Sequence, residues 1–202
     1  MYWEELPYKI DVDKIQETWK ATRLKSALKK TRRGLNTTEG EQIQWTDTAP
    51  TLQTALQYSQ YSENKYLDPC RIVIKDTDFK DILDFYKDTY FEELIQEFSL
   101  VRTRLCLLQP KSTYSIHNDP TWRIQIPVLT NKDNYFIWFG DRIEVKHLEL
   151  GKAYKVNTTI NHTFANFSDE ERIHLLGVLS LIHISEPTRP LYISYAVFCL
   201  KK

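Results

Sequence analysis

The segment His117–Val128 reads HNDPTWRIQIPV and alternates between two kinds of side chain. Most of its odd positions are polar or charged, and its even positions are apolar from Trp122 onward. Side chains of a β-strand point alternately to opposite faces of a sheet, so this pattern predicts a strand with one polar and one apolar face. We expect the apolar face to pack against helices. The polar face should line the mouth of a barrel, with His117 and Asp119 side by side.

Short runs with a period of two follow one another from residue 101 to residue 179. Turn residues separate them, and they lie too close together to alternate with helices. Their number and spacing predict a small antiparallel barrel or sandwich. The predicted strands are Val101–Leu108, Tyr114–Leu129, Asn134–Phe139, Arg142–Lys146, Ala153–Thr158, His162–Phe167 and Arg172–Leu179.

The first hundred residues are mainly helical in their apolar spacing. We therefore expect one α+β domain over residues 1–180, with a helical part (1–100) packed on a β core (101–180). The predicted N-terminal elements are a helix over residues 8–33, a short helix that begins after Pro50 and includes Ser59, a strand at Cys70–Ile74, and a helix that begins after Asp78 and includes Phe98.

Residues 181–202 differ in character from the rest of the chain. The stretch LIHISEPTRP follows a strand-like run directly and resembles the peptide obtained when a sequencing adapter is translated in frame. We expect residues 181–202 to be a non-native tail and exclude them from the fold prediction. The alternative is a genuine C-terminal strand, ISYAVFCL.

The composition of the chain argues against several classes of binding partner. Lysine and arginine number 27, as do aspartate and glutamate, so no overall charge favours nucleic acid, anionic lipid or a polyacid. The basic residues from Lys25 to Arg33 crowd the end of a predicted helix, where the helix dipole favours cations, so nucleic-acid binding is the weaker reading. No signal peptide or long apolar window is present, and the three cysteines lack metal or disulfide spacing. We expect a cytoplasmic protein with no membrane partner.

Histidines and a carboxylate indicate a metal site. Two imidazoles and one carboxylate are the ligand set of non-haem Fe(II) oxygenases, and the chain carries His117, Asp119 and then His162. A His-x-Asp/Glu pair alone is expected by chance in a chain of this composition. A second pair, His147 and Glu149, precedes a turn and has no downstream partner. The hypothesis therefore depends on the neighbours of the first pair.

Those neighbours carry a family resemblance. The His-x-Asp-Pro-Thr motif, an arginine-bearing strand, a Gly-Lys turn and the stretch HTFANFSDEER resemble the aspartyl/asparaginyl β-hydroxylase-like branch of the Fe(II)/2-oxoglutarate-dependent oxygenases, which includes free-proline hydroxylases. The resemblance covers about residues 101–180, and Gln125 and Pro127 depart from the basic residues that some members carry. The matching positions are His117, Asp119, Pro120, Thr121, Arg123, Gly151, His162, Asn166, Ser168 and Arg172.

The resemblance implies a double-stranded β-helix, that is, a jelly-roll or cupin-like barrel with the N-terminal helices packed on it. It also implies that His117, Asp119 and His162 bind Fe(II) as a facial triad. Arg172 would bind the distal carboxylate of the co-substrate 2-oxoglutarate through a bidentate pair. Arg123 would serve the same co-substrate or a substrate carboxylate.

The implied reaction consumes O2 and 2-oxoglutarate and hydroxylates an Asp or Asn side chain in a protein, or a free amino acid such as proline. The alternative is a non-catalytic cupin-like module that binds a ligand or partner. Taken singly, these residues could also have purely structural roles: His162 could be a core histidine, and Arg172 could be a surface partner of Glu170. We expect Asn166 to brace its strand rather than touch substrate. The residues that line either a pocket or the core are Tyr114, Trp138 and His174.

Overall fold

The computed structural model describes residues 1–23, 29–30, 51–59 and 75–180. Within these ranges there are two α-helices, α1 (Val12–Arg23) and α2 (Tyr90–Glu97). The strands are β1 (Trp3–Lys9), β2 (Lys29–Lys30), β3 (Thr51–Ala55), β4 (Gln57–Tyr58), β5 (Asp81–Ile82), β6 (Leu100–Leu108), β7 (Ser112–Thr113), β8 (Arg123–Leu129), β9 (Asn134–Phe139), β10 (Ile143–Lys146), β11 (Lys152–Val156), β12 (His162–Asn166) and β13 (Arg172–Leu179).

The strands form two main antiparallel sheets. The large sheet has the order β1-β11-β8-β13-β6-β3-β2, and the small sheet has the order β10-β9-β12-β7. From β6 to β13 the chain crosses repeatedly between them, so that β6-β13-β8-β11 in one sheet faces β7-β12-β9-β10 in the other. Eight antiparallel strands in this arrangement are a jelly roll, the barrel type found in cupins. The predicted α+β fold, a double-stranded β-helix carrying helices, is confirmed.

The helices cover one face of the large sheet. Helix α1 begins at Val12 because the Asp11 carboxylate accepts the backbone N–H of Lys14 at 3.0 Å and so caps the first turn. Burial of each large apolar side chain in this layer contributes about 1.5–3 kcal/mol. As predicted, the apolar even positions of β8 lie in this layer. It includes Ile15 and Trp19 of α1, Phe91 and Leu94 of α2, and Ile124, Ile126 and Val128 of β8.

The predicted helix after Pro50 is wrong. Residues Thr51–Ala55 form β3, which pairs with β6 and places Leu52 opposite Leu107. The spacing of Leu52 and Ala55 suits a helix, but the alternating sequence TLQTA suits a strand equally well, and the open edge of β6 decides between them.

The N-terminal part is less helical than predicted. Residues Trp3–Lys9 form an edge strand on β11, so the first helix begins at Val12 rather than at residue 8. The third helix is limited to Tyr90–Glu97, because a 3-10 turn at Asp84–Tyr86 and an extended Thr89 interrupt the apolar stripe.

Predictions outside the described ranges concern Cys70–Ile74, the 181–202 tail and most of the Lys25–Arg33 cluster. The described part of the chain contains no helix that is both long and apolar enough to cross a membrane.

The predicted strand Tyr114–Leu129 is also too long. Its regular part begins at Arg123, and residues 114–122 run as an irregular segment with a single bridge at His117. Pro120 offers no N–H to a neighbouring strand, and the Asn118-Asp119 pair favours turns. His117 and Asp119 therefore lie on a loop at the barrel mouth, not on the strand itself.

Candidate metal centre

Backbone hydrogen bonds join the two segments that carry the candidate metal ligands. His117 and His162 exchange two of them: N–H of His117 donates to O of His162 at 3.1 Å, and N–H of His162 donates to O of His117 at 2.8 Å. Asp119 N–H donates to the carbonyl of Thr158 at 2.7 Å. The loop is therefore attached at His117 to the first residue of β12 and at Asp119 to the segment that precedes β12. The two imidazole centroids consequently lie 4.4 Å apart.

The ligand atoms of the triad His117, Asp119 and His162 lie within 4.8 Å of one another. Nδ1 of His117 lies 2.8 Å from the carbonyl of Ser115, and Nδ1 of His162 lies 2.8 Å from the carbonyl of Ile160. A carbonyl only accepts, so each Nδ1 carries the proton and each Nε2 keeps a free lone pair. Nε2 of His162 is buried and has no hydrogen-bond partner. This donor set fits a divalent transition metal such as Fe(II).

Charge favours the metal-binding protonation states. Burial lowers the pKa of His162 to about 4, so its imidazole is neutral near pH 7. Burial would raise the pKa of the Asp119 carboxyl, but the charge and hydrogen bond of Arg123 outweigh it and hold that pKa below its ordinary value. A neutral His162 imidazole and the ionised Asp119 carboxylate therefore lie together with His117 around one point near pH 7.

Arg123, the first residue of β8, lies against the triad and is 3% exposed. Its Nη2 is 3.3 Å from Asp119 Oδ1 and its Nε donates to Asp119 Oδ2 at 3.4 Å. Its Nη1 lies 3.6 Å from Asp76 Oδ2 and makes no hydrogen bond. The structure thus brings Arg123 to the site, while its role toward the co-substrate or substrate stays a prediction.

Arg172, the first residue of β13, lies inside the barrel and is 4% exposed. Its Nη2 donates to Nδ1 of His174 at 2.9 Å, and its guanidinium lies 4.8 Å from the ring centroid of Phe164. Burial lowers its pKa to about 9. Over the described ranges no carboxylate pairs with it, so the surface pair with Glu170 is not formed. A buried cation without an anion is costly, and such a group suits a site for an anionic ligand.

His174 lies beside Arg172. A guanidinium only donates, so the contact requires an unprotonated Nδ1 on His174 and places its proton on Nε2. That Nε2 is buried without a partner. Oε1 of Gln125 lies 3.2 Å from the same Nδ1, and because an amide oxygen only accepts, this tautomer requires Gln125 to turn its NH2 group toward Nδ1 instead. Burial lowers the pKa of His174 well below its ordinary value. His174 is therefore a neutral buried group with a spare N–H donor next to the unpaired guanidinium.

Asn166 braces the barrel, as predicted. Its Nδ2 donates to the carbonyls of Leu108 (3.3 Å), Gln109 (3.0 Å) and Glu170 (2.7 Å), which lie on two separate segments. Its Oδ1 accepts from the N–H (3.0 Å) and hydroxyl (2.7 Å) of Ser168. The side chain is fully buried, so it ties the end of β6 to the turn between β12 and β13.

We expect Asn166→Ala to lower the free energy of unfolding by about 3 kcal/mol, because several buried carbonyls and the Ser168 hydroxyl lose their partner. Urea denaturation measures the change. The matched control is Asn118→Ala, since Asn118 is exposed and makes one long side-chain hydrogen bond of 3.4 Å. A loss below about 1 kcal/mol for Asn166→Ala would contradict the bracing role.

Of the other residues considered for the pocket or for substrate binding, one lies next to the triad and two lie elsewhere. The Tyr114 ring lies 4.8 Å from the His117 ring and so forms part of the wall of the site. Trp138 is core: it stacks on Phe136 at 4.1 Å and donates to the carbonyl of Asn157 at 2.8 Å. Arg142 is exposed and pairs with Glu144 at 3.2 Å.

The second His-x-Glu pair does not form a metal cluster. His147 Nδ1 lies 2.9 Å from the carbonyl of Asn134, and Glu149 pairs with Lys152 at 3.0 Å. Among the described residues the triad is the only group of three or more potential ligands brought together.

Sequence reasoning missed three charged residues that surround Arg123 or act on the Asp119 carboxylate. Arg102 pairs with Asp76, and Asp76 in turn faces Arg123. Arg104 Nη1 donates to Gln53 Oε1 at 3.1 Å. The available signal was the alternation Arg102-Thr103-Arg104 within an otherwise apolar strand, which places two arginines on one face. Nothing in the sequence around Asp76 pointed to the site.

The strand order and the triad together define a cupin-like jelly-roll protein with a candidate His/Asp/His metal centre. No protein-family model and no curated protein sequence matches the chain. Solved structures similar to it include a cupin domain from Bordetella pertussis Tohama I, at 15% identity and TM-score 0.35, covering 39% of this chain and 80% of that one.

Two further structures resemble it. A 2OG-Fe(II) oxygenase family oxidoreductase from Burkholderia pseudomallei is 14% identical with TM-score 0.40, covering 63% of this chain and 65% of that one. Bacillus subtilis oxalate decarboxylase is 16% identical with TM-score 0.34, covering 39% of this chain and 21% of that one. The chain therefore spans about a fifth of the decarboxylase. At these TM-scores the likenesses are weak, and the fold assignment rests on strand topology.

Proposed function

We propose that this protein is an Fe(II)- and 2-oxoglutarate-dependent dioxygenase that hydroxylates an amino-acid or peptidyl substrate. One observation carries the proposal: Arg172, a buried guanidinium without a carboxylate partner among the described residues, lies in the same barrel as a metal-binding triad. Phe164 is a neighbour of both groups, because its ring lies 4.8 Å from the guanidinium and 5.8 Å from the His162 ring. A short dicarboxylate that reaches from the metal to Arg172 would neutralise that charge.

Each residue then has a defined task. His117, Asp119 and His162 would hold Fe(II), the metal at which 2-oxoglutarate and O2 would also bind. Fe(II) bound there supplies the oxygen chemistry, and the protein supplies orientation and exclusion of water. Arg172 holds the distal carboxylate by two parallel hydrogen bonds, and the spare N–H of His174 provides a further donor beside it. Phe136, stacked 5.1 Å from the His162 ring, closes the apolar side of the site.

Charges around the mouth favour a substrate that bears a carboxylate. Arg102, Arg104 and Arg123 lie near Asp76 and Asp119, so the cations outnumber the anions in this group. An aspartyl side chain and a free amino acid such as proline both carry a carboxylate, whereas an asparaginyl side chain does not. We therefore place the aspartyl and free amino-acid substrates ahead of the asparaginyl one.

The test is anaerobic loading with Fe(II), then addition of 2-oxoglutarate, O2 and a panel of free amino acids and Asp- or Asn-containing peptides. We expect one Fe(II) per chain and release of succinate and CO2 in equal amounts, accelerated by the true substrate. Fe(II) and 2-oxoglutarate binding without succinate release would instead support the non-catalytic cupin-like module. Absence of Fe(II) binding would refute the proposal.

A further inference from the structure

We propose that Asp76 is a positioning residue of the metal centre: it holds Arg123 so that the Asp119 carboxylate keeps the orientation in which it binds metal. The inference rests on the metal-binding part of the proposed function and is independent of 2-oxoglutarate and of turnover. Asp76 is distant in sequence from every candidate ligand and belongs to the N-terminal part of the chain.

The contacts form one continuous chain of charges. Asp76 begins a 3-10 turn, Asp76–Asp78, and its side chain is 15% exposed. Its Oδ1 accepts from Nη1 of Arg102, and its Oδ2 lies 3.6 Å from Nη1 of Arg123. On the opposite edge of the same guanidinium, Nη2 and Nε lie 3.3 and 3.4 Å from the two oxygens of Asp119. Arg123 therefore bridges Asp76 and the candidate ligand.

A backbone irregularity positions Arg102, the residue at the outer end of this series of charged contacts. Between Leu176 and Val178 the register of β13 against β6 shifts, so β6 carries a bulge where Arg102 adopts a positive φ of 52°. The Arg102 N–H donates to the carbonyl of Phe79 at 2.8 Å instead of entering the sheet ladder. Bulges re-aim side chains and recur beside active sites, and here the bulge accompanies an Arg102 that is paired with Asp76.

Asp76 also changes the electrostatics of the ligand. Arg123 is almost fully buried, and without Asp76 its charge would be balanced by Asp119 alone. The guanidinium would then compete more strongly with the metal for the carboxylate oxygens, and one negative charge would be lost close to a divalent cation. Both effects weaken metal binding. Residues that orient metal ligands typically change metal affinity 10–100-fold when mutated.

The experiment measures Co(II) binding to the full chain, because Co(II) is stable in air and its absorption bands report ligand geometry. We expect Asp76→Asn to weaken Co(II) binding by about 10-fold or more and to alter the absorption spectrum. The matched control, Asp84→Asn, removes an exposed carboxylate that pairs with Lys87 at 2.5 Å, and should bind Co(II) like the original chain. Asp76→Glu keeps the charge and should recover most of the affinity.

Unchanged affinity and an unchanged spectrum in Asp76→Asn would overturn the proposal. If that variant does not fold, Arg102→Lys serves instead, because it keeps the positive charge but removes the guanidinium that anchors Asp76, so it should weaken Co(II) binding in the same direction; unchanged affinity there overturns the proposal too. An original chain that binds Co(II) but releases no succinate refutes the proposed oxygenase while the Asp76 effect still stands. An original chain that binds no metal refutes both.

Discussion

His162→Ala is expected to abolish metal binding at the triad and to lower succinate release by more than about 10²-fold, since loss of a supporting residue alone costs about 10–100-fold. The physical reason is that Nε2 of His162 is buried, unprotonated and without any hydrogen-bond partner, so it has no role in stabilising the apo fold. Isothermal titration with Fe(II) under anaerobic conditions measures the binding. The succinate assay measures turnover.

His147→Ala is the matched control for this prediction. His147 resembles His162 in that its Nδ1 also lies against a backbone carbonyl, that of Asn134, at 2.9 Å. It differs because no further ligands of the described chain gather around it. We expect His147→Ala to keep Fe(II) stoichiometry and turnover. Stoichiometric Fe(II) binding by His162→Ala would contradict this prediction, because the metal would then bind at another place.

The β core was predictable because its signal is local. Alternation in runs such as Arg123–Leu129 and Arg172–Leu179 reflects one face turned to the helices and the other to the barrel interior, and each run can be identified without knowledge of its neighbours. The order of the strands is different in kind, because it depends on which distant segments pair. The resemblance of the two histidine segments to a known family implied the type of fold, a double-stranded β-helix, but the order of the strands comes from the structure.

The N-terminal errors have the same origin. Leu52 and Ala55 have a spacing that suits a helix, and only the unpaired edge of β6, far along the chain, converts Thr51–Ala55 into a strand. Likewise Trp3–Lys9 is largely exposed as an edge strand on β11, so it lacks the apolar alternation by which strands are recognised. Tertiary pairing overrides local propensity in both places.

The candidate site divides along the same line. The triad was predicted because a three-residue motif and one later histidine carry it, and the structure brings these residues together. Asp76 was missed because its function depends on two arginines from other strands, a relation that spacing does not record. For Arg172 the sequence allowed both a surface pair with Glu170 and a buried ligand site, and its burial excludes the surface pair, while its role toward a ligand stays a prediction.

Arg172→Met is expected to weaken 2-oxoglutarate binding by about 10²–10³-fold, since removal of one partner of a buried charge pair costs about 2–5 kcal/mol. In the same variant the apo protein should be as stable as before, or more stable by about 1–3 kcal/mol, because the change removes a buried cation that contacts His174 and the Phe164 ring but no carboxylate of the described residues. Met also fills much of the space of the arginine stem. Calorimetric titration with 2-oxoglutarate and urea denaturation measure the two effects.

The opposite signs of these two effects separate function from structure. If Arg172 were purely structural, it would stabilise the fold. Its loss would then lower the free energy of unfolding and leave the affinity for 2-oxoglutarate unchanged. A buried cation that serves to bind an anion destabilises the empty barrel, and this cost is offset only when the anion binds. Such a trade-off between stability and activity is common at binding sites. Arg142→Met is the matched control, since Arg142 is exposed and pairs with Glu144 at the surface. Destabilisation of Arg172→Met with unchanged 2-oxoglutarate affinity would contradict the assignment, because the guanidinium would then belong to the core rather than to the co-substrate.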